Sequence, residues 1–552
     1  MSTSFNVVAR QAAAIATHPL AGLTVPRKAY LIAAACVVLL YAAHVNGRWR
    51  QSYDDAHYML LGRSVAAGEG YRLNGHIDNV FPPGMALLLA GVYATVGQSF
   101  VAFEAIMVMF GLGALVLIHA CLKRLTDPAT ALLVTLATAL SYRFYSGAGK
   151  ILSDIPTTMF FWLTMYLCLR GMGGRGAWLA LATAVSVVAV LFRAAGVLMM
   201  GALGVGLVLD RSLGGTWRRR LWAAVAVALP ALAMTLAFYA LASRVGEATP
   251  RYETQFRDAL GVHSNPIVAY GLRLVALGGE LPRLMGNVLT GQQFWAYGLV
   301  ILAMLLAGMA ASAVCRRGLV PTICILYPLG LALVLQTDFA VQARMWFPIQ
   351  PLLLLLALQG VTFLCALAAG MARSGRTEAA GKTAAALVAA VLLVTVGTSI
   401  PRVFKEAFIN TYYGVSEKYY TKMSMSEVGA FLPIAAKAAE LDRRDKPVFM
   451  ANFHEAKMMQ VICGRLWVLW PEVDQGESAS AQSAQEIHRR AAEDAAISTA
   501  LLPLKYRVPL ALAREVRRAF DEDPAWRMVI ENEYYALYQR AASTRGGATA
   551  HR

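Results

Sequence analysis

Residues 51–84 read QSYDDAHYMLLGRSVAAGEGYRLNGHIDNVFPPG, a polar segment that follows an apolar run at 29–45. Of the 552 residues, 58% are hydrophobic and 15% are charged, whereas soluble domains carry about a quarter charged residues. Many of the apolar runs approach the roughly 20 residues with which a helix crosses the hydrocarbon core. The chain is therefore predicted to be an α-helical polytopic membrane protein, and the quoted segment is predicted to be one of its loops.

The apolar runs predict about 11 transmembrane helices between residues 29 and 401. The predicted spans lie near 29–45, 100–122, 128–146, 155–170, 177–192, 195–209, 222–243, 295–314, 319–336, 346–368 and 384–401.

The net charge of +17 is spread over short basic clusters in every second connection between these spans. Such parity is typical of the positive-inside rule and is unlike the single basic patch of a nucleic-acid-binding protein. It predicts a multi-pass protein of the cell inner (plasma) membrane, with residues 1–28 in the cytoplasm. These clusters are Arg27-Lys28, Lys123-Arg124, Arg170 with Arg175, Arg211 with Arg218-Arg219-Arg220, Arg316-Arg317, and Arg373 with Arg376 and Lys382.

Three segments are predicted to face the other side: a first outer loop at 46–99, a loop at 244–294 and a tail at 402–552. Residues 82–97 are apolar, but counting them as a span would place the later basic clusters outside. We therefore expect them to form a helix that dips into the outer leaflet. The tail alternates strand-like and helix-like runs, which predicts a small C-terminal α/β extracytoplasmic domain.

The first outer loop carries adjacent carboxylates, Asp54 and Asp55, with His57 and Tyr58 close behind. A helical pattern of apolar residues follows, so a short interfacial helix is predicted to begin near residue 53. One interpretation makes Ser52 and Asp55 a capping box, in which the acids only stabilise that helix. The alternative is that the acids carry chemistry at the membrane surface.

The connection after the third span, SYRFYSGAGKILSDIPTT, brings a second carboxylate to the same predicted side. Asp154 has Arg143 and Lys150 nearby in sequence, and it is also a candidate N-cap for the next helix. A carboxylate can accept a proton from an acceptor hydroxyl, and nearby cations can stabilise a departing phosphate.

Two arginines fall at outer ends of predicted helices. Arg344 precedes a long apolar run, where it is interpreted either as a headgroup anchor or as a guanidinium that binds lipid phosphate. Arg193 carries the same ambiguity, and for Arg193 we favour the anchor.

The order of these motifs resembles the GT-C superfamily of polyprenyl-phosphate-dependent glycosyltransferases, with protein O-mannosyltransferases and lipid A aminoarabinose transferases as the nearest likeness. The resemblance covers roughly residues 29–370. Four short motifs carry it: Asp54, Asp55 and Tyr58 in the first loop, Pro82-Pro83 before an apolar stretch, Ser153-Asp154-Ile155-Pro156, and Arg344 before Pro348 and Pro351.

The resemblance implies transfer of a sugar from a polyprenyl-phosphate donor to an extracytoplasmic acceptor hydroxyl on a lipid, glycan or protein, with inversion. It makes Asp54 the general base, with Asp55 and Asp154 as orienting acids. Substrate-binding roles fall to the other motif residues and nearby cations, namely His57, Tyr58, Pro82, Pro83, Arg143, Lys150 and Arg344. Phe81 departs from the Lys or His that often precedes the two prolines. Members differ in metal use, so a divalent cation stays open and no firm cofactor is implied.

A membrane transporter or flippase of a lipid-linked or acidic solute is the alternative from another functional class. Such a protein needs ionisable groups near the bilayer midplane. Here the predicted spans are largely free of central charges and the acids lie at the outer rim, which favours the transferase. A catalytically silent scaffold with the same fold is a further alternative, which the acidic motifs disfavour.

Overall fold

Helices that follow the apolar runs make up most of the computed structural model. It describes residues 2–50, 54–74, 76–78, 80–173, 176–245, 266–290, 295–334, 343–371, 397–414, 426–441, 448–450, 458–462, 467–469, 481–494, 497–504 and 510–541. The chain divides into two compact units. The first comprises residues 1–50 and 77–411, and the second comprises residues 51–76 and 412–552.

The first unit is helical, as predicted. Its helices are α1 (Ser2–Thr17), α2 (Arg27–Ala42), α4 (Gly84–Val96), α5 (Phe100–Leu125), α6 (Pro128–Ala139), α7 (Tyr142–Ala148), α8 (Asp154–Gly171), α9 (Gly176–Phe192), α10 (Gly196–Leu209), α11 (Trp217–Val245), α12 (Pro266–Thr290), α13 (Trp295–Val314), α14 (Leu319–Val334), α15 (Gln350–Met371) and α16 (Ile400–Tyr412).

Among the described residues, three helices are long and apolar enough to cross a membrane, namely those at Phe100–Leu125, Trp217–Leu241 and Gln350–Ala368. Several others are apolar but shorter, among them α4, α6, α9 and α10. The 13 residues of α4 rise about 20 Å, less than the hydrocarbon thickness. The expectation that 82–97 dips into one leaflet is compatible with this length and remains a prediction.

The predicted span at 128–146 is wrong in one respect, because the structure breaks it into α6 and α7. Ser141 lies at the break, and its Oγ accepts a hydrogen bond from Gln350 Nε2 at 2.7 Å. Gln350 is fully buried and also donates to the carbonyl of Val288, 2.9 Å away. A long-range polar contact therefore occupies the position where the apolar pattern alone predicted continuous helix.

Helices also lie where the sequence predicted none, among them α12 and α1. Helix α12 forms much of the predicted loop at 244–294, while residues 246–265 and 291–294 lie outside the described part. Helix α1 lies in the N-terminal segment and packs its alanine face against α13 and α15. Residues 372–396, which hold most of the last predicted span, also lie outside the described part.

In the second unit, the helix predicted to begin near residue 53 is present as α3 (Asp55–Ala66), which precedes β1 (Arg72–Leu73). Its position at the membrane interface remains a prediction. Strand β1 pairs with β2 (His76–Ile77). The C-terminal part has helices α17 (Ser426–Leu441), α18 (Ala481–Glu493) and α19 (Leu510–Glu522), and strands β3 (Val448–Met450), β4 (Trp467–Leu469), β5 (Thr499–Pro503), β6 (Trp526–Glu531) and β7 (Tyr535–Arg540).

These five C-terminal strands form one sheet in the order β4-β3-β5-β7-β6. Strand β3 pairs parallel with β4 and β5, whereas β7 pairs antiparallel with β5 and β6. Apolar faces of α18 and α19 cover the sheet around Phe520 and Trp526. Strands and helices alternate along this part of the chain, as the strand-like and helix-like runs of the tail predicted.

Candidate active site

The acidic pair lies at the start of α3. Asp54 occupies the N-cap position without a side-chain capping hydrogen bond, and Asp55 is the first helical residue. Asp55 Oδ1 accepts a hydrogen bond from the N–H of Ala56, 2.7 Å away. A capping box needs its acid at the third helical position, so the capping-box interpretation of Ser52 and Asp55 is wrong. Ser52 itself lies outside the described residues.

The two acids and the side chains that follow them are buried. Asp54 is 4% exposed and Asp55 is fully buried, while His57 and Tyr58 are each 2% exposed. Placing two carboxylates at the N-terminus of a helix is electrostatically favourable, because the helix dipole supplies partial positive charge there. The loop thus concentrates hydrogen-bonding groups of the types that bind and activate a hydroxyl.

In the first unit, Asp154 forms a buried ion pair. Arg193 Nη1 lies 2.9 Å from Asp154 Oδ1, and the two side chains are 8% and 3% exposed. The same nitrogen donates to Ser153 Oγ at 3.3 Å. Ser153, rather than Asp154, holds the N-cap position of α8, so the interpretation of Asp154 as an N-cap is wrong.

For Arg193, the sequence analysis favoured the interpretation as a headgroup anchor. A headgroup anchor extends its guanidinium into water, whereas this guanidinium is buried against a carboxylate. A carboxylate buried in a helical bundle needs a counter-charge, so Asp154 called for a cation nearby. Local spacing could not identify Arg193 as that cation, because the two residues are 39 positions apart in the sequence.

The turn Pro82-Pro83-Gly84 lies beside the end of α9. A Cβ atom on Gly84 would come within 2.7 Å of the backbone carbonyl of Leu191, so only glycine permits this close approach. Leu191 is two residues before Arg193. The structure therefore brings the predicted prolines to the helix end that supplies the ion pair.

Arg344 lies in a single 3-10 turn, Ala343–Trp346, and is partly buried. Two side chains hold the backbone around it: the Tyr327 hydroxyl donates to the carbonyl of Met345 at 2.7 Å, and Trp162 Nε1 donates to that of Pro348 at 3.0 Å. The Phe347 ring packs on Gly147, where an added Cβ would approach it within 2.7 Å. The turn of Arg344 is thus fixed against α7 and α8.

Arg143 is anchored by a neighbouring amide. Its Nε and Nη2 both donate to Asn287 Oδ1, at 3.0 and 2.7 Å. Asn287 is fully buried on α12, a helix that the sequence analysis did not predict. This contact orients the guanidinium and occupies two of its donors.

A second buried ion pair precedes the acidic loop, and sequence reasoning missed it. Arg50 Nη1 lies 3.4 Å from Glu406 Oε1 on α16, with the two side chains 2% and 5% exposed. Arg50 also contacts the imidazole of His44 and donates to its carbonyl at 3.3 Å. Burial raises the pKa of the Glu406 carboxyl, and the charges of Arg50 and Lys150 oppose that rise. Lys150 therefore lies in the electrostatic neighbourhood of this pair.

Glu104 has a structural role. Its Oε2 accepts hydrogen bonds from the N–H groups of Asn46 and Gly47, at 2.9 and 2.8 Å. The carboxylate thereby fixes the backbone that follows α2. We assign it no chemistry.

The predicted site residues belong to two compact units. In the first unit, Asp154, Arg193, the two prolines and the turn of Arg344 lie on elements that pack together around α7, α8 and the end of α9. Asp54, Asp55, His57 and Tyr58 belong to the second unit. Within the described part of the chain, no group of three or more His, Cys, Asp or Glu residues is arranged to hold a metal ion.

No family model matches the sequence, and the search of curated proteins found no match. Solved structures do match. ArnT from Cupriavidus metallidurans bound to undecaprenyl phosphate superposes with a TM-score of 0.53 at 14% identity, over 94% of this chain and 99% of that one. An Archaeoglobus fulgidus oligosaccharyltransferase tethered with an acceptor peptide gives 0.51 at 12% identity, over 88% and 72%. Both are members of the GT-C superfamily.

The chain has the GT-C fold. AglB from Archaeoglobus fulgidus, in complex with an inhibitory peptide and a dolichol-phosphate, agrees with this, with a TM-score of 0.50 at 13% identity over 86% of this chain and 69% of that one. Another structure of the Archaeoglobus fulgidus oligosaccharyltransferase is a complex with Zn and sulfate. The resemblance drawn from four short motifs is therefore confirmed at the level of the fold.

Proposed function

We propose that this protein is a membrane glycosyltransferase that moves a sugar from a polyprenyl-phosphate donor to an acceptor hydroxyl outside the cytoplasm. The observation that carries the proposal is a GT-C fold whose first loop opens a helix with two buried carboxylates. Two proteins of the same fold were solved with undecaprenyl phosphate or dolichol-phosphate bound, which supports a donor of this class. The acceptor is a lipid, a glycan or a protein.

Asp54 is the general base in this mechanism. It takes the proton of the acceptor hydroxyl while the hydroxyl oxygen attacks the anomeric carbon of the sugar. The bond between that carbon and the phosphate oxygen breaks, and polyprenyl phosphate leaves with the electron pair. Attack from the face opposite the leaving group inverts the anomeric configuration. A positioned base contributes typically 10²–10⁴-fold to such a step.

Asp55 and Asp154 orient the acceptor or the base. Arg193 Nη1 lies 2.9 Å from Asp154 Oδ1 and holds that carboxylate in one orientation. His57 and Tyr58, one turn into α3, bind the acceptor.

Arg344 holds the donor phosphate. A guanidinium matches two phosphate oxygens at once and keeps its charge at any physiological pH. Lys150 and Arg143 add positive charge on the same predicted face, and Pro82-Pro83 shape the entrance beside α9. The orientation that serves this scheme places the N-terminus in the cytoplasm and the C-terminal domain outside, as the basic clusters predict.

The test is a transfer assay with radiolabelled polyprenyl-phosphate sugars and the purified full-length protein in vesicles. We expect Asp54→Asn to lower turnover by about 10²–10⁴-fold. Asp78→Asn, in the same loop, is the matched control and should retain activity. Full turnover by Asp54→Asn would remove that residue from the chemistry. Passage of the substrate across the vesicle membrane without a covalent product would instead favour the transporter alternative.

A further inference from the structure

A cavity of about 220 Å³ lies at the end of the first unit that carries the basic clusters. Leu169 and Met172, at the end of α8, form part of its wall. Asp154 begins the same helix, and the 15 residues from Asp154 to Leu169 rise roughly 23 Å. The cavity is therefore separate from the candidate active site.

Two arginines supply positive charge to this cavity. Arg317 is held in a fixed orientation, because Nη1 donates to the carbonyl of Leu125 at 2.8 Å and Nη2 contacts His18 Nε2 at 3.2 Å. Arg124 stacks over the ring of Tyr166, with its Cζ 5.7 Å from the ring centroid. No hydrogen bond joins Arg124 to another described residue, so its donors are available to a ligand.

His18 does not add to this charge. Burial lowers the pKa of the His18 imidazole, and the adjacent Arg317 guanidinium lowers it further. A neutral imidazole can accept the hydrogen bond from Arg317 through Nε2, which is the geometry that the structure shows.

The acid in the wall is already fully engaged. Asp210 Oδ1 accepts from the N–H and hydroxyl of Ser212, at 2.8 and 2.6 Å. Its Oδ2 accepts from the N–H of Leu319 at 2.9 Å. With Asp210 serving as a cap, the charged groups of the wall sum to +1 from Arg124, Arg317 and Asp210.

Two polar side chains deeper in the cavity have no hydrogen-bond partner among the described residues. Gln359 is 4% exposed and Ser312 is 3% exposed, and both line the cavity. Gln359 lies nine residues into α15, about 14 Å from its start, which is the depth of the membrane interior. A polar side chain at that depth is tolerated where it is buried in protein or lines a water-filled cavity. The wall between these groups and the arginines is apolar, with Leu355 and Val320.

We propose that this cavity binds a phosphoglycerol group, with the phosphate at Arg124 and Arg317 and the glycerol hydroxyls at Ser312 and Gln359. The arginines lie at the helix ends, and the two polar side chains lie deeper. The serine hydroxyl and the glutamine amide can each donate to and accept from a hydroxyl. Soluble sn-glycerol 3-phosphate fits this order, whereas the headgroup glycerol of phosphatidylglycerol lies on the water side of its phosphate.

The experiment uses delipidated full-length protein and native mass spectrometry. The probes are phosphatidylglycerol, phosphatidic acid, phosphatidylcholine, sn-glycerol 3-phosphate and inorganic phosphate. We expect sn-glycerol 3-phosphate to bind about tenfold more tightly than inorganic phosphate, because its hydroxyls add hydrogen bonds to Ser312 and Gln359. Binding of phosphatidylglycerol that sn-glycerol 3-phosphate does not displace would assign the site to a lipid headgroup and overturn this placement.

Two variants test the placement of the ligand. Arg124→Gln should weaken sn-glycerol 3-phosphate binding about tenfold. Gln359→Leu should remove the preference for sn-glycerol 3-phosphate over inorganic phosphate. Arg218→Gln is the matched control, since Arg218 is exposed in a basic cluster of the same end and does not line the cavity. Equal losses in Arg124→Gln and Arg218→Gln, or equal affinities for sn-glycerol 3-phosphate and inorganic phosphate, would overturn the proposal.

Discussion

Arg193 Nη1 lies 2.9 Å from Asp154 Oδ1. Asp154 is the first residue of α8 and Arg193 directly follows α9, so the contact joins two helices that are consecutive in the chain. Both side chains are almost fully buried, so each charge depends on the other for stabilisation. The pair has a second effect, because it holds the carboxylate at the head of α8 in one orientation. Asp154 is therefore both a structural link between the two helices and a candidate functional group.

The first prediction concerns the stability of this pair. Arg193→Gln should destabilise the protein by about 3–5 kcal/mol, because it leaves the Asp154 carboxylate buried without a counter-charge. The double variant Asp154→Asn/Arg193→Gln should recover part of that loss, since no charge remains unpaired. Thermal unfolding in one detergent measures both.

Arg283→Gln is the control for this prediction. Arg283 pairs with Glu280 at 3.2 Å, but both side chains are more than a third exposed. An exposed pair contributes about 0–1 kcal/mol, so this variant should unfold near the wild-type temperature. A double variant less stable than Arg193→Gln would contradict the assigned cause.

The second prediction concerns the packing of Arg50. A Cβ atom at Gly149 would collide with the Arg50 guanidinium, which Glu406 and His44 hold in place. Gly149→Ala should therefore destabilise the protein by about 1–3 kcal/mol, the usual cost of overpacking. Because Arg50 directly precedes the acidic loop, the same variant should also lower transfer activity.

Gly91→Ala is the matched control, because nothing lies within 4 Å of a Cβ at that exposed helical position. Alanine in a helix is favoured over glycine by about 1 kcal/mol, so this variant should unfold at or above the wild-type temperature. The melting temperature and the transfer activity of Gly149→Ala and Gly91→Ala are measured side by side. Wild-type stability in Gly149→Ala would show that Arg50 is free to move.

The third prediction separates binding from chemistry at Arg344. Arg344→Lys keeps the charge but loses the two-point contact with phosphate. We expect KM for the polyprenyl-phosphate donor to rise about tenfold or more, with a smaller change in kcat, because charge-assisted hydrogen bonds contribute about 1.5–3 kcal/mol each. Steady-state kinetics against donor concentration measures this, with Arg283→Lys as control. An unchanged KM would leave the headgroup-anchor interpretation of Arg344 in place.

Local patterns predicted most of the apolar helices, because apolar runs act over a few positions. Helix α3 follows from the apolar spacing behind Asp55, and strands β6 and β7 lie in the tail where strand-like runs were predicted. The break between α6 and α7 did not follow, since it depends on Gln350, 209 positions from Ser141.

The ion pairs were beyond local reasoning for the same reason. Arg50 and Glu406 are 356 positions apart, and each looks unremarkable in its own segment. For Arg193, the sequence showed a cation at a helix end but not the carboxylate facing it. The sequence therefore showed which residues are charged, but not which of them pair. The pairs depend on the packing of α8 against α9 and of α16 against the segment after α2.

The fourth prediction concerns pH and the N-terminal helix. The pKa of His18 is lowered in the folded protein, so folding favours its neutral form. That contribution to stability is complete above the unfolded value of about 6.5 and is lost as the pH falls below it. Protonated His18 would also repel Arg317, its neighbour at 3.2 Å. We therefore expect the wild type to lose thermal stability between pH 7.5 and pH 5.5. His18→Gln, whose amide oxygen can accept the same hydrogen bond without titrating, should lose less over that interval. A loss of equal size in both proteins would mean that another group controls the acid sensitivity.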